Sequence, residues 1–165
     1  MIKIESGVAG HPGLATLEES DHELVGRLYD RLSAEAVYRR FFSAVPSADR
    51  FAAALLRKDS RERQAVAAVE GGEVVGVAQY SRAPASHEAE LAIVVADGWQ
   101  RQGLGTRMVA ALADRAARAG ITSFAVDVQG DNQGAIRLLH RVAPGLRLSF
   151  SGGVGEGSFP IAEAE

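Results

Sequence analysis

The chain has 165 residues, a formal net charge of −3, 47% hydrophobic and 24% charged residues, and no cysteine. That length can bury one core without staples, so a single domain over 1–165 is expected. The mild acidity gives no reason to expect nucleic acid or a membrane as partner, and the missing cysteine excludes disulfides, thiolate metal sites and a cysteine nucleophile. With no signal-like start and no apolar run long enough to span a bilayer, the expected location is the cytoplasm.

The opening "MIKIESGVAGHPG" reads as a poorly ordered or edge-strand start closed by His11-Pro12-Gly13. Asp21 to Leu32 has Leu24, Leu28 and Leu32 four apart and predicts a helix capped by Ser20 or Asp21. Ser33 can cap a second helix over 34–42, and Ser47, after Pro46, a third in which Phe51, Ala54, Leu55 and Lys58 share a side. The period then becomes two. "QAVAAVE" (64–70), the turn Gly71-Gly72 and "EVVGVAQY" (73–80) predict a hairpin. Glu88 to Val95 reads as a strand buried on both faces. Leu104, Met108, Leu112 and Ala116 mark a helix that stops at Gly120. Phe124, Val126 and Val128 alternate on a strand, and Asp131 or Asn132 caps a helix with Ala135, Ile136, Leu139 and Val142 inward. "LRLSF" and "SFPIA" predict a last hairpin across the glycine-rich "SGGVGEG", before a frayed "AEAE" end. The order implies a mixed α/β fold: a mostly antiparallel central sheet flanked by helices, not a doubly wound one.

Between strand and helix lies "DGWQRQGLGT", Asp97 to Thr106. Gly103 and Gly105 would each cost a helix about 1 kcal/mol relative to alanine. Unpaired N–H groups at a helix start bind phosphate, and glycine lets the anion approach closely. Gln100 to Thr106 can aim several such groups at one pyrophosphate, with Arg101 as a mobile cation; a plain tight turn for helix packing is the competing reading. Met108 stands where a dinucleotide fingerprint needs glycine, and no Gly-Lys-Ser/Thr follows, so two other phosphate motifs are excluded.

The string "AELAIVVADGWQRQGLGTRMVAALADRAARAGI" followed by "DNQGAIRLL" resembles the GNAT N-acetyltransferase superfamily, whose acyl-CoA motif Gln/Arg-x-x-Gly-x-Gly/Ala matches Gln100, Gly103 and Gly105. The likeness covers roughly 15–150 and is most specific over 89–142. A narrower likeness is "RLSAEAVYRRFF", Arg31 to Phe42, which looks like Leu-Ser-x-Glu-Ser-x-Tyr-x-Arg-Phe-Phe in bacterial acetyltransferases that modify protein lysines; Ala36 replaces the second serine. Its competing reading is an amphipathic helix whose Tyr38, Phe41 and Phe42 pack on the sheet.

The superfamily resemblance implies the GNAT fold and direct transfer of an acetyl group from acetyl-CoA to an amine, without metal. Pyrophosphate would lie on the amides of Gln102, Gly103, Leu104, Gly105 and Thr106, pantetheine on the backbone of Ile93, Val94 and Val95, and Asn132 would reach the pantetheine or cap its helix. A backbone N–H near Val95 would stabilise the oxyanion. An alkyl amine, with a pKa of about 10.4, is mostly protonated at neutral pH, so a general base is useful. Glu90 matches the glutamate assigned that role in the lysine-modifying relatives, with Glu88 and then His87 in reserve. Where many members carry an acidic tyrosine this chain has Leu139, followed by His140; a thiol of pKa about 8.5 leaves tolerably without it. The expected acceptor is a protein lysine ahead of a small amine, and the rival from another class is a non-catalytic acyl-CoA sensor. A homodimer through the last hairpin is compatible with the sequence, which does not decide it.

Overall fold

The period-two segments pair into one sheet. The computed structural model describes residues 6–8, 11–41, 47–56, 62–100 and 102–162. Its strands are β1 (Ser6–Val8), β2 (His11–Thr16), β3 (Arg63–Glu70), β4 (Glu73–Ser81), β5 (Glu88–Val95), β6 (Ser123–Gln129), β7 (Ser149–Ser151) and β8 (Val154–Pro160), in spatial order β1-β2-β3-β4-β5-β6-β8-β7. The helices are α1 (His22–Tyr29), α2 (Ala34–Phe41), α3 (Ala48–Leu55), α4 (Leu104–Arg118) and α5 (Gln133–Val142). Neighbouring strands are antiparallel except β5 and β6, which are parallel. This is the mixed, mostly antiparallel sheet that the sequence predicts.

Strand alternation divides the core in two. On one face Leu91, Phe124, Val126 and Phe159 meet the stripe Leu104, Met108, Leu112 and Ala116 of α4, and Leu139 of α5. On the other, Val69, Val77 and Val94 meet Val25 and Leu28 of α1 and Phe51 and Leu55 of α3. The expected leucine stripe of the first helix is therefore shifted: Val25 and Leu28 are fully buried, whereas Leu24 and Leu32 pack at the margin. Ser33 and Ser47 do cap, their hydroxyls accepting from the N–H groups of Ala36 (3.0 Å) and Arg50 (3.2 Å). Arg27 and Arg31 close on Glu73 at 3.1 and 2.7 Å, tying α1 to the start of β4. The Arg27 hydrogen bond, with Arg31 behind it, outweighs slight burial and holds the Glu73 carboxyl below its ordinary value. Its contribution to stability is present at neutral pH and is lost as acid protonates it.

Three sequence expectations change. His11-Pro12-Gly13 does not close a loose start but begins β2, whose residues 13–16 pair with Val69–Val66. The last hairpin turns on Gly152-Gly153 alone, both at positive φ, and "VGEG" belongs to β8. Leu146 to Leu148 precede β7, which covers Ser149–Ser151 only. In β5, Glu88 and Glu90 are exposed, so this strand is not buried on both faces. Lys58, Phe42, Pro46 and the "AEAE" end lie outside the described residues, apart from Ala162.

Phe51 is fully buried and packs against Tyr29 with ring centroids 5.4 Å apart and planes tilted by 54°, joining α3 to α1. Phe51→Ala should cost about 3–5 kcal/mol in urea unfolding. A loss below about 1 kcal/mol would mean that this face collapses around the cavity.

Candidate active site

β5 and β6 pair at three positions only, Glu88 with Ser123, Ala89 with Phe124 and Glu90 with Ala125. Both then continue, β5 to Val95 and β6 to Gln129, without pairing. Between them opens a cleft of about 1000 Å³, lined by the start of α2, the unpaired parts of both strands, the first turn of α4 and one face of α5.

The backbone of β5 is directional here. Its other edge is bonded to β4, and at the end of that ladder the Ala96 N–H donates to the Val75 carbonyl at 2.8 Å. Along an antiparallel ladder, bonded residues alternate with residues whose N–H and C=O face away. Leu91, Ile93 and Val95 therefore turn theirs toward β6; the Leu91 N–H closes the last bridge, at Ala125, and the open groups begin at the Leu91 carbonyl and Ile93. In keeping with this, the Val95 carbonyl accepts from Gln100 Nε2 at 3.2 Å. Val94 also lines the cleft, but its backbone belongs to the β4 ladder and its side chain to the α1–α3 core.

The turn into α4 is held by its own side chains. Besides Gln100 on Val95, Gln102 Nε2 donates to the Gly98 carbonyl at 3.2 Å, and the Trp99 N–H donates to Ala96 at 2.8 Å. Gly103 is the N-cap residue, at φ +79°, a left-handed conformation that favours glycine. No side chain caps this helix and no carboxylate lies in its first turn. The N–H groups at its start are thus left for a ligand, and Thr106 Oγ1 beside them is buried without a hydrogen-bond partner. Orphaned donors, a buried hydroxyl and the helix dipole fit an anion such as pyrophosphate. Leu104 is buried and offers the cleft its backbone. Gly105 has a further duty: a Cβ there would stand 2.5 Å from Leu138 Cδ2, so the missing side chain seats α5 against α4. Arg101 lies outside the described residues.

The candidate acids and bases separate. Glu90 is exposed, lines the cleft at the last paired position of the splay, and has no hydrogen bond or ion pair with another described residue. Glu88 and His87 do not line the cleft: Glu88 Oε2 accepts from Ser123 Oγ at 3.1 Å, and His87 Nδ1 bonds the Gly120 carbonyl at 3.1 Å. His140 is exposed and also outside the lining, whereas Leu139 is part of it. Asn132 lines the cleft and caps α5, its Oδ1 accepting from the Ala135 N–H at 3.2 Å. From α2, Ser33, Glu35 and Ala36 reach the cleft; Val37 is the residue packed inward and Tyr38 is exposed, so the packing reading of Tyr38 fails. Sequence reasoning did not single out Arg137 and Arg141, which line the cleft from α5; their spacing of four was the available signal. Among the described residues no group of three His, Cys, Asp or Glu is placed to hold a metal ion, and no helix is long and apolar enough to cross a membrane.

A family model described as the acetyltransferase (GNAT) family matches residues 23–143. The chain belongs to the GNAT acetyltransferase family. As a member it is an acyltransferase with acetyl-CoA as co-substrate, and the cleft at the parallel pair is where the residues fit that molecule. The GNAT domain of S. lividans PAT is 28% identical, with a TM-score of 0.81 over 91% of this chain and 90% of that one. The fold is shared by a phosphinothricin acetyltransferase from Sinorhizobium meliloti solved with acetyl-CoA (19% identity, TM-score 0.70, 93% and 90% coverage). It is shared also by a putative acetyltransferase from Salmonella typhimurium solved with acetyl-CoA (19%, 0.67, 93% and 96%). No curated protein matches the chain in sequence.

Because Gly105 abuts Leu138, Gly105→Ala should cost about 1–3 kcal/mol despite alanine's better helix propensity, and should raise KM for acetyl-CoA. Adding Leu138→Ala should recover part of both losses, a coupling of at least about 0.5 kcal/mol in the double-mutant cycle. Strict additivity would place the contact elsewhere.

Proposed function

We propose that this GNAT enzyme acetylates protein lysines by direct attack, with Glu90 taking the proton from the amine. The observation that carries the reading is the position of Glu90: an exposed carboxylate at the point where β5 and β6 part, in the same cleft as the anion-binding turn. The turn lies at the far end of β5, so a cofactor with its pyrophosphate there runs its arm along Val95 and Ile93 and brings its acyl group toward Glu90. Five strand residues at about 3.4 Å each put Val95 roughly 17 Å from Glu90. Val95 therefore serves the arm, and the first backbone donor beyond Glu90 that is open to the splay is the N–H of Ile93, because the Leu91 N–H closes the last bridge at Ala125; the Ile93 N–H is a fixed group that suits the oxyanion.

A lysine acceptor is supported by the carboxylates of Glu90, Asp127 and Glu35 that line the cleft, and by the resemblance of Leu32 to Phe42 to lysine-modifying acetyltransferases. An ammonium is drawn to such carboxylates, becomes a nucleophile when Glu90 accepts its proton directly or through one water, and attacks the acetyl carbonyl. As the C–S bond breaks, the nitrogen gives its second proton to water and the CoA thiolate departs without a tyrosine to protonate it, since Leu139 stands where many relatives carry one.

Labelled acetyl-CoA with desalted extract, with and without small amines, tests this. Label is expected in the macromolecular fraction, with kcat falling about 10²- to 10⁴-fold in Glu90→Gln while acetyl-CoA still binds. Label confined to small molecules would make the acceptor a small amine. Binding without any labelling would make the protein an acyl-CoA sensor, and full turnover by Glu90→Gln would remove Glu90 as base.

A further inference from the structure

Among the described residues, five carboxylates line the cleft, on Glu35, Glu90, Asp97, Asp127 and Asp131, against two guanidiniums, on Arg137 and Arg141. Acetyl-CoA brings more negative charge than the first turn of α4 can satisfy: two charges on the pyrophosphate and close to two more on the phosphomonoester of its ribose. Among the described residues, the other arginine near that turn is already committed, since Arg107 Nη1 donates to the Pro12 carbonyl at 2.7 Å. Arg137 and Arg141 are exposed and make no ion pair or hydrogen bond with a described residue. They stand one helical turn apart on α5, close enough to hold one tetrahedral anion between them. Leu138, beside Arg137 and three residues before Arg141, lies against Gly105 at the start of α4. The pair therefore flanks the anion-binding turn.

We propose that Arg137 and Arg141 form the subsite for the 3′-phosphate of acetyl-CoA and select the cofactor against its 3′-dephospho form. Guanidinium–phosphate hydrogen bonds are charge-assisted and can be bidentate, so they discriminate by the presence of the group and not by its shape alone. The alternative use of the pair, to hold a carboxylate of the acceptor, places no demand on the 3′-phosphate. This inference rests on acetyl-CoA occupying the cleft, so its test must separate failure of the cofactor reading from failure of the subsite.

Calorimetric titration of CoA and 3′-dephospho-CoA into the protein and its variants makes that separation. The unaltered protein is expected to bind CoA at least about 10-fold more tightly than the dephospho form. In Arg137→Ala/Arg141→Ala the affinity for CoA should fall to near that for dephospho-CoA, while dephospho-CoA affinity stays within about twofold, which also shows that the variant is folded. Arg137→Lys/Arg141→Lys should restore part of the preference, because charge returns without the planar fork. Arg118→Ala, at the other end of α4, removes one positive charge and should leave the preference in place, which separates a local subsite from net charge. Binding of neither ligand by the unaltered protein would overturn the cofactor reading itself. Equal binding of both ligands, or an equal loss for both in the double variant, would overturn the subsite alone.

Discussion

Backbone N–H and C=O groups inside a sheet are normally paired, and leaving them otherwise is costly unless water or a ligand takes them. The parallel contact of β5 and β6 ends at Glu90 and Ala125, and the Leu91 carbonyl, both groups of Ile93 and the Val95 N–H are left facing an open edge. The rest of the molecule is arranged around that gap. β4 holds β5 in register on the closed side, β8 does the same for β6 over its whole length, and neither strand can move to close the splay without breaking its ladder. A parallel pair suits this use. Its strands are joined through α4 and not through a tight hairpin, so the helix start arrives at the open end of the same cleft.

The two glycines of the turn answer to different constraints. Gly103 is required by conformation, at φ +79° with open space around it. Gly105 is favoured by packing, because the Leu138 side chain occupies the volume that a Cβ would take and would have to shift for it. The helix propensity lost in the first turn thus yields two things at once: amides free of any capping side chain, and an α5 close enough for its residues to line the same cleft. The two glutamines keep that turn in shape through Val95 and Gly98, so their task is rigidity of the loop as well as closeness to the ligand. Preorganised donors of this kind stabilise charge without reorganising when it arrives.

Much of this was legible because local signals and tertiary role agree. β5, α4 and α5 are bounded by features that act locally: a run of apolar residues, Gly103, Gly120, and Asn132 as cap. β2 was hidden because Pro12 and Gly13 read as a breaker, yet the strand needs its hydrogen bonds to β3 only over its second half. The first half of β8 was hidden because Gly155 and Gly157 erase the alternation that marks a strand, although its end falls in the expected "SFPIA" strand; the glycines are small because Phe150 and the Leu146–Leu148 segment lie over them. In the site, alternation put Glu88 and Glu90 on one face but gave no reason to choose between them. The choice depends on where pairing with β6 stops, a fact of register between segments thirty residues apart that no local pattern encodes. The same holds for Arg137 and Arg141, whose meaning comes from Leu138 meeting Gly105.

The cleft carries charges of both signs, and the carboxylates near an amine acceptor would carry a conflict of their own. A carboxylate beside a lysine favours the ammonium, raising its pKa and making the neutral nucleophile scarcer. Carboxylates that only attract therefore improve capture and slow chemistry; binding gained equally in ground and transition states lowers KM without raising kcat. A carboxylate that accepts the proton as the new bond forms escapes the conflict, because its interaction strengthens during the reaction. Position decides which carboxylate does which. On the proposal that Glu90 is the base, its place at the apex puts it where the carbonyl and the amine would meet, whereas Asp127 and Glu35, on the opposite strand and on α2, would act on approach. Removing either of the latter two would then be felt in KM and in salt dependence, and removing Glu90 in kcat.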